Sequence, residues 1–149
     1  MATRATGSLA MTEEVAALVG GAFEARLPML VAYVGDNGFP RLSFRGTLQV
    51  HGDDALAFWA RNPEGGVVKA IAERPKLTVF YRNPEARTTV FFYGEAHLVT
   101  DAAERDAIYD NSPEPERNAD ADKAGVAIVV VLDAIEGRNA DGPFSITRS

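Results

Sequence analysis

Between Pro40 and Val50 apolar and polar residues alternate with little interruption. Leu42, Phe44, Gly46, Leu48 and Val50 fall on one side, and Arg41, Ser43, Arg45, Thr47 and Gln49 on the other. Successive residues of an extended chain point to opposite faces, so this pattern predicts a strand with one packed face and one polar face. Gly52-Asp53-Asp54 then turns the chain into the apolar run ALAFWA. That run ends in Arg61-Asn62-Pro63-Glu64-Gly65-Gly66, where Asn62 is a helix N-cap candidate, Pro63 suits the first helical position and Glu64 suits the first turn. A strand, a turn, a strand and a short helix closed by Pro75 therefore follow one another. Basic side chains and free backbone N–H groups converge where the helix opens, which makes the stretch a candidate anion cradle.

The flanking chain supplies the rest of a sheet. Thr12 is placed to cap a helix with Glu13 and Glu14 at its positive end and Val15, Leu18, Val19 and Phe23 along one face. Gly20-Gly21 weakens its later turns and Pro28 stops it, while residues 1–11 read as a frayed tail. Met29–Val34 reads as a strand entering a hairpin turn at Asp36-Asn37-Gly38. Val67, Ala70 and Ile71 form the buried stripe of the short helix, and KLTVFY follows Pro75 as the next strand. Thr88–Thr100 is long for one strand, and Gly94 near its middle predicts a bulge. Asp101–Asp110 reads as a capped helix, and 111–125 as a loop-rich connection with a helical turn. VAIVVVLD, Val126–Asp133, is apolar on both faces and needs the core on one side and a helix or a second subunit on the other. The tail from Gly142 is weakly patterned. Six strands joined mostly by hairpins, with peripheral helices, predict one mainly β domain over 1–149, an antiparallel barrel-like sheet.

Composition removes several functions. No apolar run approaches the roughly 20 residues of a membrane span, and no signal-peptide pattern opens the chain, so a cytoplasmic protein is expected. A net charge of −6 argues against nucleic-acid binding. The absence of cysteine excludes disulfides and thiolate sites, and His51 and His97, on separate strands, have no carboxylate at metal-ligand spacing, so no metal is expected. The G-x-G-x-x-G and G-x-S-x-G patterns are missing, so no catalytic side chain is marked.

What remains is the polar strand and the helix start. Ser43, Arg45, Thr47 and Gln49 can hold a phosphate or the polar edge of a ring, or can simply form a solvated face. Arg61 and Lys69 flank the helix start, and Gly65 and Gly66 either admit a close-approaching group or pack against a strand. Phe58 and Trp59 are core by composition, with stacking on a ligand as the alternative.

Gly38-Phe39-Pro40 before a strand, Phe58-Trp59-Ala60-Arg61-Asn62 at a strand end and Arg74-Pro75 closing a short helix together resemble the FMN-binding split barrels of the pyridoxamine 5′-phosphate oxidase-like family, with its general stress protein and flavin-reductase relatives. The resemblance runs from Leu27 to Thr100, with the strand from Val126 as the last of the barrel. It implies a six-stranded split barrel, a homodimer and FMN in a cleft between subunits. By position, Ser43, Arg45 and Thr47 would face the flavin. Phe58, Trp59, Ala60, Arg61 and Asn62 would line its ring and ribityl chain, and Gly65, Gly66 and Lys69 would lie near its phosphate. The oxidases place a Ser-Arg-Lys grip where this chain has Gly65-Gly66-Val67, and a basic C-terminal segment where it has only Arg148. The resemblance thus implies an FMN-dependent oxidoreductase acting on a small molecule other than pyridoxamine phosphate. The alternatives are a non-catalytic binder, a protein for F420 or for haem with His51 or His97 as axial ligand, and a β carrier of apolar ligands. The homodimer is expected to form through Val126–Asp133 and Phe91–Tyr93.

Overall fold

In the computed structural model, which describes residues 7–149, twelve elements follow in order. They are α1 (Glu13–Gly21), β1 (Leu30–Val34), β2 (Pro40–Phe44), β3 (Gln49–Val50), β4 (Ala55–Ala60), α2 (Gly66–Glu73), β5 (Lys76–Asn83), β6 (Thr88–Leu98), α3 (Ala102–Asp110), α4 (Glu114–Ala119), β7 (Val126–Asn139) and β8 (Gly142–Thr147). The strands form one sheet in the order β2-β1-β5-β6-β7-β4-β3, every pairing antiparallel. The fourteen-residue β7 serves two partners along one edge, β4 with Val126–Val131 and β8 with Ala134–Asn139. β2 and β3 end the order yet are joined by four residues, so the sheet curls until its two ends face each other without pairing. Side chains on the concave side fill the interior, with Val31, Leu56, Phe58, Val79, Phe92 and Ile128 fully buried.

The eight strands exceed the expected six for two reasons. The alternating run 40–50 is two strands, not one, because β2 pairs only with β1 and β3 only with β4, and a single straight strand cannot follow both. The tail from Gly142 is a strand, paired from Gly142 to Thr147 with β7. The Gly94 bulge is present: the β6–β7 register shifts between Tyr93 and Gly94, and a Cβ on Gly94 would lie 2.4 Å from the Val131 carbonyl oxygen. The long β6 therefore bends where the bare backbone lets the next strand close in.

Three other expectations are corrected. Leu42 and Phe44, read as the packed face of their strand, are 67% and 66% exposed, because that side of β2 is the outer side of the barrel. Of the two covers expected for Val126–Asp133 the helix is the one present, with Ile108 and Tyr109 of α3 over Ala127 and Val129, so this face does not form the expected homodimer contact. In the tail, Leu9 is buried and Ser149 donates its N–H to the Ser8 carbonyl, so 7–11 is tied down, and 1–6 lies outside the described residues. Thr12 does cap α1, accepting from the Val15 N–H at 3.2 Å, and no described helix is long and apolar enough to cross a membrane.

Candidate anion-binding site at the seam of the barrel

The seam between β2 and β3 is held by one hydroxyl. The β3–β4 register pairs Gln49 with Ala57 and Val50 with Leu56, so the next rung of that side would be Thr47 with Trp59. Instead of its backbone, Thr47 offers its side chain: Oγ1 accepts from the Trp59 N–H at 2.8 Å and donates to the Trp59 carbonyl at 3.2 Å. The main chain is thereby free to swing away through Arg45–Leu48, while both polar groups of Trp59 stay satisfied, as burial demands.

That swing places Arg45 at the mouth of the barrel. Its N–H bonds the Met29 carbonyl at 3.0 Å, its Nε donates to Ser43 Oγ at 3.1 Å, and its guanidinium carbon stands 5.5 Å from the centre of the Phe58 ring. Burial lowers the Arg45 pKa, Tyr33 raises it and the neighbouring charge of Arg61 lowers it further. Arg45 still carries its charge, because a guanidinium is too strong a base to be deprotonated in a protein. Among the described residues no carboxylate lies within ion-pair distance of Arg45 or Arg61.

The start of α2 closes the same corner. Asn62 does not cap the helix as expected: its Oδ1 accepts from the Glu64 N–H at 3.0 Å and its carbonyl from the Gly65 N–H at 3.0 Å, so Asn62–Gly65 is a turn and the helix begins later, at Gly66. Gly65 is the N-cap and supplies no side-chain acceptor, leaving first-turn N–H groups as free donors. Gly66 is bare for a visible reason: a Cβ there would lie 2.7 Å from the hydroxyl oxygen of the buried Tyr33. Tyr33 thus lies against the helix start and acts electrostatically on Arg45.

Arg45 and Arg61 line a groove of about 680 Å³ with Phe44, Gly46, Met29 and Glu116, and the same arginines, with Asn62, line an adjoining pocket of about 370 Å³. These volumes suit a cofactor-sized ligand. A cavity of about 780 Å³ across β6–β8 lies elsewhere, and Arg138 is its one cation.

The expected site residues divide accordingly. Arg45, Arg61 and Asn62 line one pocket, Ser43 is bonded to Arg45 and Gly65 to Asn62, while Gly66 lies against Tyr33 and lines neither pocket. Thr47 is pinned to β4, and Gln49 donates to the Ile108 carbonyl at 3.1 Å. Phe58, at 0% exposure, and Ala60 are sealed in the core because their side chains pack into the interior cluster of the barrel. Trp59 points away from Phe58 and, with Thr47, borders the smaller pocket beside the arginines, but its indole is engaged: it donates to Asp120 at 2.8 Å and packs edge-on against Tyr109 at 5.1 Å, with Arg105 at 4.8 Å from its ring. It fastens the 111–125 segment to the sheet. Lys69 is exposed on α2, and no described contact joins it to the arginines. His51 pairs with Glu104 at 3.0 Å, His97 is exposed, and the described residues hold no metal-binding cluster. Tyr33 and Glu116 were not foreseen. Tyr33 carried a weak signal, a hydroxyl on a buried strand face, and Glu116 carried none.

Neither a protein-family model nor a curated protein matches the sequence. Solved structures do match the fold. A pyridoxamine 5′-phosphate oxidase-related, FMN-binding protein from Nostoc punctiforme superposes with a TM-score of 0.73 at 12% identity, covering 93% of this chain and 92% of its own. A protein from Clostridium acetobutylicum related to general stress protein 26 of the pyridoxinephosphate oxidase family gives 0.68 at 11% identity, with 92% and 96% covered. An F420 reductase gives 0.62 at 22% identity, with 84% and 98% covered. With an antiparallel sheet curled onto an unpaired seam and helices at its margin, the chain has the split-barrel fold of these pyridoxamine 5′-phosphate oxidase-like proteins.

Proposed function

We propose that the chain binds FMN at the seam and serves as a flavin-dependent oxidoreductase in the cytoplasm, acting on a small molecule other than pyridoxamine phosphate. The observation that carries this reading is the pair Arg45 and Arg61, two guanidinium groups without a carboxylate partner among the described residues, lining one pocket with Asn62, which opens the turn into a helix start that has no side-chain cap. Such an arrangement suits a phosphate through charge-assisted hydrogen bonds and the helix dipole. Ser43 holds the Arg45 side chain in place, and Asn62 offers a further polar group to the ligand. When bound, the flavin supplies the hydride chemistry. The groove also carries Glu24 and Glu116, so it is not the long basic track that the acidic tail of F420 would call for. Arg148, the one cation of the C-terminal segment, is spent on the carbonyls of Leu132 and Gly7, which supports excluding pyridoxamine phosphate as substrate.

A second copy of the chain would cover the outer side of the sheet. Registers bring Phe44, Leu30, Phe80 and Phe91 into one row and Leu42, Ala32, Thr78 and Tyr93 into the next, a continuous and mostly apolar strip beside the groove. Exposed strips of this extent mark association surfaces.

FMN and riboflavin titrations test the flavin reading. Wild type should bind FMN more tightly than riboflavin, and Arg45→Ala and Arg61→Ala should each weaken FMN about ten- to a hundredfold, as charge-assisted contacts do. Equal affinities for FMN in all three proteins refute it.

A further inference from the structure

The carboxylate of Glu116 faces the arginine pair from across the groove. Glu116 lies on α4, lines both the large groove and the adjoining pocket, and approaches so near the main chain that a Cβ on Gly46 would sit 2.5 Å from its Oε1. Gly46 is therefore the residue that lets a carboxylate reach the mouth of the cradle. The Glu116 side chain forms no ion pair among the described residues, although two guanidinium groups share its cavity. Its placement is enforced from outside the groove: Tyr109 donates its hydroxyl to the carbonyls of Arg117 and Asp120, and Arg117 donates to the carbonyls of Ser112 and Asp110. These bonds fix α4 although the helix buries none of its own residues. A surface helix carrying Glu at that point, rather than a neutral residue, leaves the smaller pocket with two positive charges and one negative, while Arg26 and Glu24 offset each other farther along the groove.

Resting on the flavin reading above, we infer that Glu116 is a specificity-determining residue, a charge filter that weakens the hold of the Arg45–Arg61 cradle on an anion in proportion to its charge, and so most on a phosphate dianion. The physical reason is the sum of fields at one mouth. A dianion gains twice the attraction of a monoanion from the arginines and suffers twice the repulsion from Glu116, so the filter acts most on the more highly charged ligand. A neutral ligand is indifferent to it.

The experiment compares wild type, Glu116→Gln and Arg45→Ala, each titrated with FMN and with riboflavin at low and high salt near pH 8, where the FMN phosphate is a dianion. Glu116→Gln keeps the size of the side chain and removes its charge. The inference requires that Glu116→Gln tighten FMN by about fivefold or more, leave riboflavin unchanged, and lose much of its advantage at high salt, as a Coulombic effect across a wet groove must. Unchanged or weaker FMN binding in Glu116→Gln, with Arg45→Ala still impaired, overturns the filter and leaves the flavin site standing. Equal tightening of riboflavin also overturns it, since the cause would be steric. FMN binding that neither variant alters overturns both readings.

Discussion

Replacing Thr47 by valine removes the hydroxyl that holds the seam and changes almost nothing else, because the two side chains have the same shape. Thr47 is 4% exposed, so water cannot take the place of the lost group. The Trp59 N–H, now bonded at 2.8 Å, and the Trp59 carbonyl, at 3.2 Å, would both be left without their partner. An orphaned buried polar group costs about 1–3 kcal/mol, so the pair should cost about 2–6 kcal/mol. With a urea m-value of about 2 kcal/mol/M, the unfolding midpoint should fall by about 1–3 M at unchanged m. Thr47→Ser keeps the hydroxyl and should lose only about 1 kcal/mol, the worth of one buried methyl group. The assay is urea unfolding followed by the fluorescence of Trp59, the single tryptophan of the chain. A Thr47→Val midpoint no lower than that of Thr47→Ser would refute the view that a side chain substitutes for a rung of the sheet here.

Burial pushes the Asp120 carboxyl up, but hydrogen bonds from the Trp59 indole and from the Gly125 and Ala124 N–H groups, with the charge of Arg105, outweigh it and hold the group below its usual range. A carboxyl depressed in the fold stabilises above its unfolded pKa of about 4 and ceases to as pH falls through the lower folded value. Asp120→Asn should therefore melt below wild type at pH 7, with the gap closing near pH 2. Tyr93 donates to Glu136 at 2.5 Å, a bond that, with burial and the Glu136 charge, pushes its pKa up to about 12. That stabilisation is present below the unfolded pKa of about 10 and is lost as pH rises through the folded value. Phenolate absorbance should show a late-titrating tyrosine that Glu136→Gln moves back toward 10. Gly94→Ala should cost about 1–3 kcal/mol in thermal unfolding, because the obstructing atom is the Val131 backbone oxygen and cannot yield as a side chain would. Leu42→Glu should convert a dimeric wild type to monomer in sedimentation at micromolar concentration, and a monomeric wild type would overturn the paired-sheet proposal.

Much of this fold was readable one segment at a time. Short apolar runs between turn signals mark β1, β4 and β5, Thr12 caps α1 as its hydroxyl suggests, and Gly94 bends β6 where a glycine interrupts a long apolar strand. These depend on neighbours within a few residues, and local chemistry carries them. The position of α2 shows the margin of such reading, for Asn62 could cap a helix or close a turn with equal chemistry, and it closed the turn.

Other features had no local signature. Alternation in 40–50 says that two faces differ, not which is inside, and the curl of the sheet turned Leu42 and Phe44 outward. Arg45 and Arg61 are sixteen positions apart, Glu116 lies a further fifty-five along, and only the closing of a sheet onto its own two ends brings them to one groove. Trp59 had the composition of a stacking residue, but a helix forty residues later covered it. Segments of a chain declare their periodicity and their caps through bonded neighbours, whereas the sign of a face and the company of a charge depend on partners distant in sequence, which only packing selects.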